Sequence, residues 1–237
     1  DLHQVPEQKD LDRCQVFLYQ HVGEKWGDMS THRLLARLPK TCRTIRLPKL
    51  SSFLYWPYFI RPIAADPSWC KPCTEFPYFD RFLIECVAQG MDSERATQAY
   101  LGHDVVGEFD LEKRLADNIN YLQTPLNCGE VNLNHLILNK LHREILFASP
   151  NHPSLILLAE EANLIFELLG YDRVNQTEAM DSLQEWEFFL PVHPGIIEHF
   201  SLKNITRETR YPTSGRNLTF EEYSLAYAQH YIDERRL

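Results

Sequence analysis

His152 is the residue in this chain best placed for chemistry. It stands between Asn151 and Pro153 in the segment Phe147-Ala148-Ser149-Pro150-Asn151-His152-Pro153-Ser154, just ahead of the apolar run from Leu155 to Gly170. An imidazole moves a proton near neutral pH, and the side-chain amide of Asn151 donates to an oxygen that gains negative charge. Pro153 fits the first position of a helix and Gly170 the residue just past its end, so the pattern predicts a helix over residues 154–169. A helix start is electropositive, and its N–H groups would serve the same oxyanion. The structural alternative is that Asn151 and His152 cap a Pro-started helix. Ser149 and Ser154 flank His152, but closeness in sequence does not establish a hydrogen bond between side chains.

Charge is the second feature. Between Asp28 and Asp66 there is no acidic residue, whereas Arg33, Arg37, Lys40, Arg43, Arg46, Lys49 and Arg61 supply seven cations in a chain of net charge −9. A cationic segment in an acidic protein points to an anionic ligand, and the phosphates of a nucleotide-type molecule such as coenzyme A suit it. Arg33 and Arg37 fall on one face of a helix; the alternative is a solvated helix face with strand ends. The whole-chain charge argues against a nucleic-acid partner. The chain has no G-x-G-x-x-G, no G-K-[ST], no G-x-S-x-G and no H-E-x-x-H. Six cysteines allow three disulfides in any of fifteen pairings, or none. Cys70-Lys71-Pro72-Cys73 lacks a second pair or a matching histidine couple, so no metal is assigned.

The elements that must position these residues follow from patterning. A chain of 237 residues, 44% hydrophobic and 24% charged, is read as one domain with a full core. No apolar run suits a membrane span, because Glu160, Glu161 and Glu167 interrupt the best candidate. Within residues 1–47, Cys14 to Tyr19 and Arg43 to Leu47 read as strands around a helix near Ser30 to Leu38, a unit solved most simply by a right-handed crossover. Residues 48–80 form a long Pro- and aromatic-rich loop, whose Tyr55, Trp56 and Tyr58 are read as a wall of a substrate cleft or, alternatively, as a satellite core. Residues 81–237 read as mainly helical, with helices near 77–89, 93–101, 109–122, 132–144, 154–169, 178–188 and 220–235. Asp92 is read as an N-cap, and Thr219 with Glu222 as a capping box.

The run from Ile145 to Gly170 resembles the "LF...NHP" segment of the WcbI-like polysaccharide biosynthesis acetyltransferases, a family tied to bacterial capsule assembly. Val16 to Gln20, Met29-Ser30-Thr31, Ile45 to Pro48, Tyr55 to Phe59, Pro191-Val192-His193-Pro194 and Glu221-Glu222-Tyr223 with Tyr227 are similar to further family segments in the same order. The family opens with a strand and a Gly-Asn-Cys-Gln turn bearing its nucleophile. Cys14-Gln15 lacks the Gly-Asn and leads into a strand, so the chain reads as missing that first strand and Cys.

The resemblance implies a helix-rich α/β fold, with a small, mostly parallel, SGNH-like three-layer sheet and a large helical C-terminal portion. It implies acetyl transfer from acetyl-CoA to a sugar hydroxyl in polysaccharide biosynthesis. His152 and Asn151 would be catalytic, Gln20, Arg33, Arg37 and Arg46 would hold coenzyme A, and Tyr55, Trp56 and Tyr58 would meet the saccharide. The alternatives are an SGNH-like carbohydrate esterase or deacetylase that needs no coenzyme A, and a non-catalytic binding module that borrows a strand from a homo-oligomer or partner chain. A cytoplasmic location is expected. Sequons at Asn175, Asn204 and Asn217 and the six cysteines keep the secretory pathway as its alternative.

Overall fold

A computed structural model describes residues 5–60, 73–124, 129–175, 188–213 and 215–236. After a short helix α1 (Gln8–Leu11), strand β1 (Val16–Tyr19) pairs parallel with β2 (Arg43–Arg46), in register from Val16↔Arg43 to Tyr19↔Arg46. Helix α2 (Thr31–Ala36) lies between them in sequence, so the expected strand–helix–strand unit is present. A 3₁₀ helix at Glu24–Met29 precedes α2, and its internal kink uses Gly27 at φ +56°. On β1, Val16 and Leu18 share one face and remain 37% and 43% exposed.

The end of β2 is closed by a distant segment. Glu130 N donates to Arg46 O at 2.7 Å, and a Cβ on the neighbouring Gly129 would come within 2.2 Å of that same oxygen. The atoms that this Cβ would meet, in Arg46 and Leu47, are all main chain, so they do not yield easily. Gly129→Ala is therefore expected to lower stability by about 1–3 kcal/mol, the usual range for overpacking, as read from urea unfolding midpoints.

In the stretch after β2, Tyr55, Trp56 and Tyr58 do not form a cleft wall. Leu54, Tyr55, Trp56, Tyr58 and Phe59 are buried, and strand β3 (Phe59–Ile60) pairs antiparallel with β4 (Phe79–Asp80). Tyr55 donates its hydroxyl to Leu141 O and Glu144 O, and Trp56 Nε1 donates to Leu190 O and Pro191 O, both at 3.2 Å. Such rings act as core pins, their polar tips consumed by main-chain carbonyls. Tyr58 is held by His103 Nε2 at 2.6 Å and by Glu108. The reading of Tyr55, Trp56 and Tyr58 as sugar-stacking residues is corrected by this burial. Residues 61–72, with Trp69 and Cys70, lie outside the described residues.

Helices then dominate: α3 (Arg81–Ala88), α4 (Ser93–Leu101), α5 (Val105–Glu108), α6 (Leu111–Leu122), α7 (Asn134–Lys140), α8 (Leu155–Leu169), α9 (Pro194–Phe200) and α10 (Phe220–Arg236). The helix read from residue 77 begins only at Arg81, because Phe79–Asp80 is a strand. Asp80, Asp92, Asp104 and Asp110 each accept a hydrogen bond from an N–H of the first turn, which explains the sharp starts of α3 to α6. Thr219 and Glu222 form the expected reciprocal box, Thr219 N to Glu222 Oε2 at 2.9 Å and Glu222 N to Thr219 Oγ1 at 3.2 Å. Helix α9 was not legible in advance; its N-cap His193 accepts from Gly195 N and contacts Tyr100 O at 2.8 Å, which makes His193 a packing residue. The helix expected over 178–188 lies outside the described residues apart from Phe188, which bridges to Thr213.

Among the described residues the parallel pairing is β1–β2. The other pairs, β5 (Phe147–Ser149) with β6 (His152–Pro153) and β7 (Tyr211–Thr213) with β8 (Arg216–Leu218), are antiparallel like β3–β4. One buried cluster runs from Ile45 through the aromatic stretch and α3, α4 and α6 to Tyr231 on α10. Among the described residues no helix is long and apolar enough to cross a membrane.

Candidate active site

The segment that carries His152 is a hairpin rather than a helix start. Phe147, Ala148 and Ser149 are fully buried in β5, the chain turns at Pro150-Asn151, and His152 returns opposite Ser149. Main-chain bonds fix the turn from three sides: Ser154 N to Leu146 O, Leu190 N to Ala148 O and Ser52 N to Pro150 O, at 2.8, 2.8 and 2.9 Å. Pro153 therefore belongs to β6, and α8 starts at Leu155 after Ser154, a correction to Pro153 as the first helical residue. The far end of α8 is as expected, with Gly170 left-handed at φ +81°.

The hairpin places Ser149 Oγ 2.6 Å from His152 Nδ1. Tyr78, just before β4, adds its hydroxyl 2.8 Å from the same nitrogen and 2.5 Å from Ser149 Oγ. Burial pushes the Tyr78 phenol above its ordinary range, and the contact with Ser149 opposes that shift, so the phenol stays protonated. Both oxygens can accept from Nδ1–H, which is the tautomer that leaves the lone pair on Nε2. Ser149 is completely buried, whereas Asn151 and His152 are exposed. The arrangement is an imidazole at the surface, oriented from below by two hydroxyls.

Of the residues singled out from sequence, His152 and Asn151 lie together on this turn. Gln20 donates from Nε2 to Pro48 O at 3.0 Å, at the start of the stretch whose Ser52 holds Pro150. Arg33 pairs with Asp28 at 2.8 Å, both side chains more than half exposed. Arg37 donates to Gln8 Oε1 at 3.0 Å and to Pro6 O at 2.8 Å, binding the N-terminal segment to α2. Arg46 sits at the end of β2, its main chain bonded to residue 130. Cys14 leads into β1 and donates its thiol to Val16 O at 3.2 Å. Ser149 and Tyr78 were missed as site residues. Ser149 was within reach of inference, three residues before His152; nothing local marks Tyr78. Among the described residues no group of three or more His, Cys, Asp or Glu side chains is arranged for a metal.

The fold and this cluster define a helix-rich α/β protein whose surface histidine is braced by a buried serine and a tyrosine. The profile of the family described as polysaccharide biosynthesis enzyme WcbI matches residues 1–173, a span that holds Tyr78, Ser149 and His152, and the chain belongs to that family. A solved structure of WcbI, described as a novel polysaccharide biosynthesis enzyme, is similar with a TM-score of 0.70 and 19% identity, over 92% of this chain and 72% of that one. That structure is described as the native protein without a disulfide bond between coenzyme A and one of its own cysteines. No curated protein sequence matches the chain.

Proposed function

We propose that the chain transfers an acetyl group from acetyl-CoA to a saccharide hydroxyl during polysaccharide biosynthesis. The observation that carries this reading is the bracing of His152 Nδ1 by Ser149 and Tyr78. A general base needs one ring nitrogen fixed and the other directed at its substrate. His152 takes the proton of the acceptor hydroxyl, and the Asn151 amide donates to the acyl oxygen as it gains charge. The family membership supports the saccharide, and the coenzyme A named with the similar structure supports the donor.

The chain's own residues fit coenzyme A in part. The Arg33–Asp28 pair is a solvated surface contact of little worth, so Arg33 can exchange Asp28 for a phosphate. Arg37 is built into the N-terminal segment and suits that role less. Native mass spectrometry is expected to give a one-to-one coenzyme A adduct that Arg33→Gln weakens about fivefold, the worth of one charge-assisted contact of about 1 kcal/mol. A folded sample with no adduct would move the reading to the coenzyme-independent esterase. That alternative needs an exposed nucleophile, and the full burial of Ser149 speaks against it. Among the described residues β1 pairs with β2 in a two-stranded sheet, and its other edge favours, within the same reading, a second copy or partner strand beside the pair, for which a monomer in sedimentation would count against.

A further inference from the structure

One groove, at the stretch that Ser52 ties to the hairpin, has the composition of a sugar site, and the inference rests on the reading of the chain as acting on a saccharide. It lies between residues 53–54 and α6, has a volume of about 350 Å³, and is lined by Phe53, Leu54, Arg114, Asp117, Asn118 and Tyr121. Phe53 and Tyr121 are the open aromatic rings, 47% and 38% exposed, in a stretch whose other rings are core. The backbone of Phe53 is clamped from α6: Arg114 Nη2 donates to Phe53 O at 2.7 Å, and Asn118 Oδ1 accepts from Phe53 N at 3.3 Å. The ring is thus held at the surface by design of its neighbours rather than left there by a loose loop.

The same two side chains leave donors unsatisfied. Arg114 Nε and Asn118 Nδ2 are buried and have no hydrogen-bond partner among the described residues. Buried orphan donors are uncommon, and these two lie on adjacent turns of α6 on side chains that line the groove, where an acceptor on a bound molecule would satisfy them. The Asp117 carboxylate, which pairs with Lys113 at 2.5 Å, adds an acceptor at the rim. A pyranose ring has one face of C–H groups and an edge of hydroxyl oxygens. The aromatic faces cover the first, and Asp117, with the two donors once their side chains turn outward, meets the second. A purely apolar ligand would leave both donors unpaired.

Position links the groove to the proposed chemistry. Ser52, immediately before Phe53, donates to Pro150 O in the turn between Ser149 and His152. We infer that Phe53, Tyr121, Arg114 and Asn118 form the acceptor subsite, seating a pyranose of the saccharide against the exposed ring of Phe53.

Saturation-transfer NMR with the methyl glycosides of glucose, galactose, mannose and N-acetylglucosamine tests this on the full chain. At least one glycoside is expected to bind, with Phe53→Ala and Asn118→Asp each raising its Kd tenfold or more. Asn118→Asp keeps the acceptor for Phe53 N while removing the donor and adding a charge, and Phe53→Trp, which keeps a ring, should retain binding. Absence of binding by every glycoside, equal binding by Phe53→Ala, or displacement of the glycoside by coenzyme A through its adenine overturns the subsite. The two readings fail separately. Turnover that ignores His152 with glycoside binding that needs Phe53 removes the transfer chemistry alone, and the reverse pattern removes the groove alone.

Discussion

His152→Gln is expected to lower the rate of acetyl transfer by about 10²–10⁴-fold while the protein stays folded. The imidazole is exposed, and its removal leaves Ser149 and Tyr78 within 2.5 Å of each other, so the buried hydroxyls keep a partner. The cost to stability should stay below about 1 kcal/mol, in line with surface substitutions that orphan nothing. Glutamine retains bulk and polarity but cannot take up a proton. Stopped assays with acetyl-CoA and a saccharide acceptor give the rate, and thermal unfolding gives the control. Tyr78→Phe supplies the companion measurement. Tyr78 acts through His152 as a positioning residue, so its loss should lower kcat about tenfold, shift the pH profile and leave KM for acetyl-CoA unchanged. Unchanged turnover in His152→Gln would remove the histidine from the mechanism, whatever Tyr78→Phe does.

What could be read from sequence divides along the range of the interactions. The β1–α2–β2 unit, the Asp92 cap, the Thr219–Glu222 box and the Gly170 terminus depend on residues a few positions apart, and each appears as expected. His152 was legible for the same reason. The start of α8 was not, because the main-chain bond from Ser154 to Leu146 draws Pro153 into a hairpin that outcompetes its preference for a first helical turn. The aromatic stretch misled through ambiguity of composition. Rings that stack on sugars and rings that fill cores are the same residues, and only the distant carbonyls of Leu141, Glu144, Leu190 and Pro191 decide for Tyr55 and Trp56. Tyr78 reaches His152 across 74 positions, and no local pattern encodes such a meeting.

The second large effect concerns Asp80, which links that distant architecture to the site. Asp80 is 1% exposed, and burial raises its carboxyl to about 7, against opposing hydrogen bonds from Leu83 N, Tyr100 and Phe82 N. The groups that face it are Tyr58, Tyr100 on α4, Tyr223 and Tyr227 on α10, and Cys86 on α3; none of these is a cation. A carboxyl raised in the folded state keeps a proton that the unfolded chain has lost. Stability contributed by this group is therefore complete below about pH 4, falls as pH rises through the window up to about 7, and then levels off. The shift corresponds to about 4 kcal/mol between the two ends of the window. Asp80→Asn keeps an oxygen for Leu83 N and cannot ionise, so it should flatten this part of the profile and be the more stable protein at pH 8. Glu161, which burial also raises to about 7, is common to both proteins and cancels in their difference. Urea unfolding at pH 5, 6, 7 and 8 measures that difference, and parallel profiles would refute the assignment. Hydrogen bonds connect the Asp80 main chain to the site. Asp80 N donates to the Tyr227 hydroxyl at 2.8 Å, and that hydroxyl donates to Tyr78 O at 3.3 Å, two residues before Asp80 and on the tyrosine that braces His152. In the folded protein that charge forms around pH 7, beside the strand that leads from the tyrosine bracing the imidazole, so the ratio of native to Asp80→Asn transfer rates should fall as pH rises through about 7.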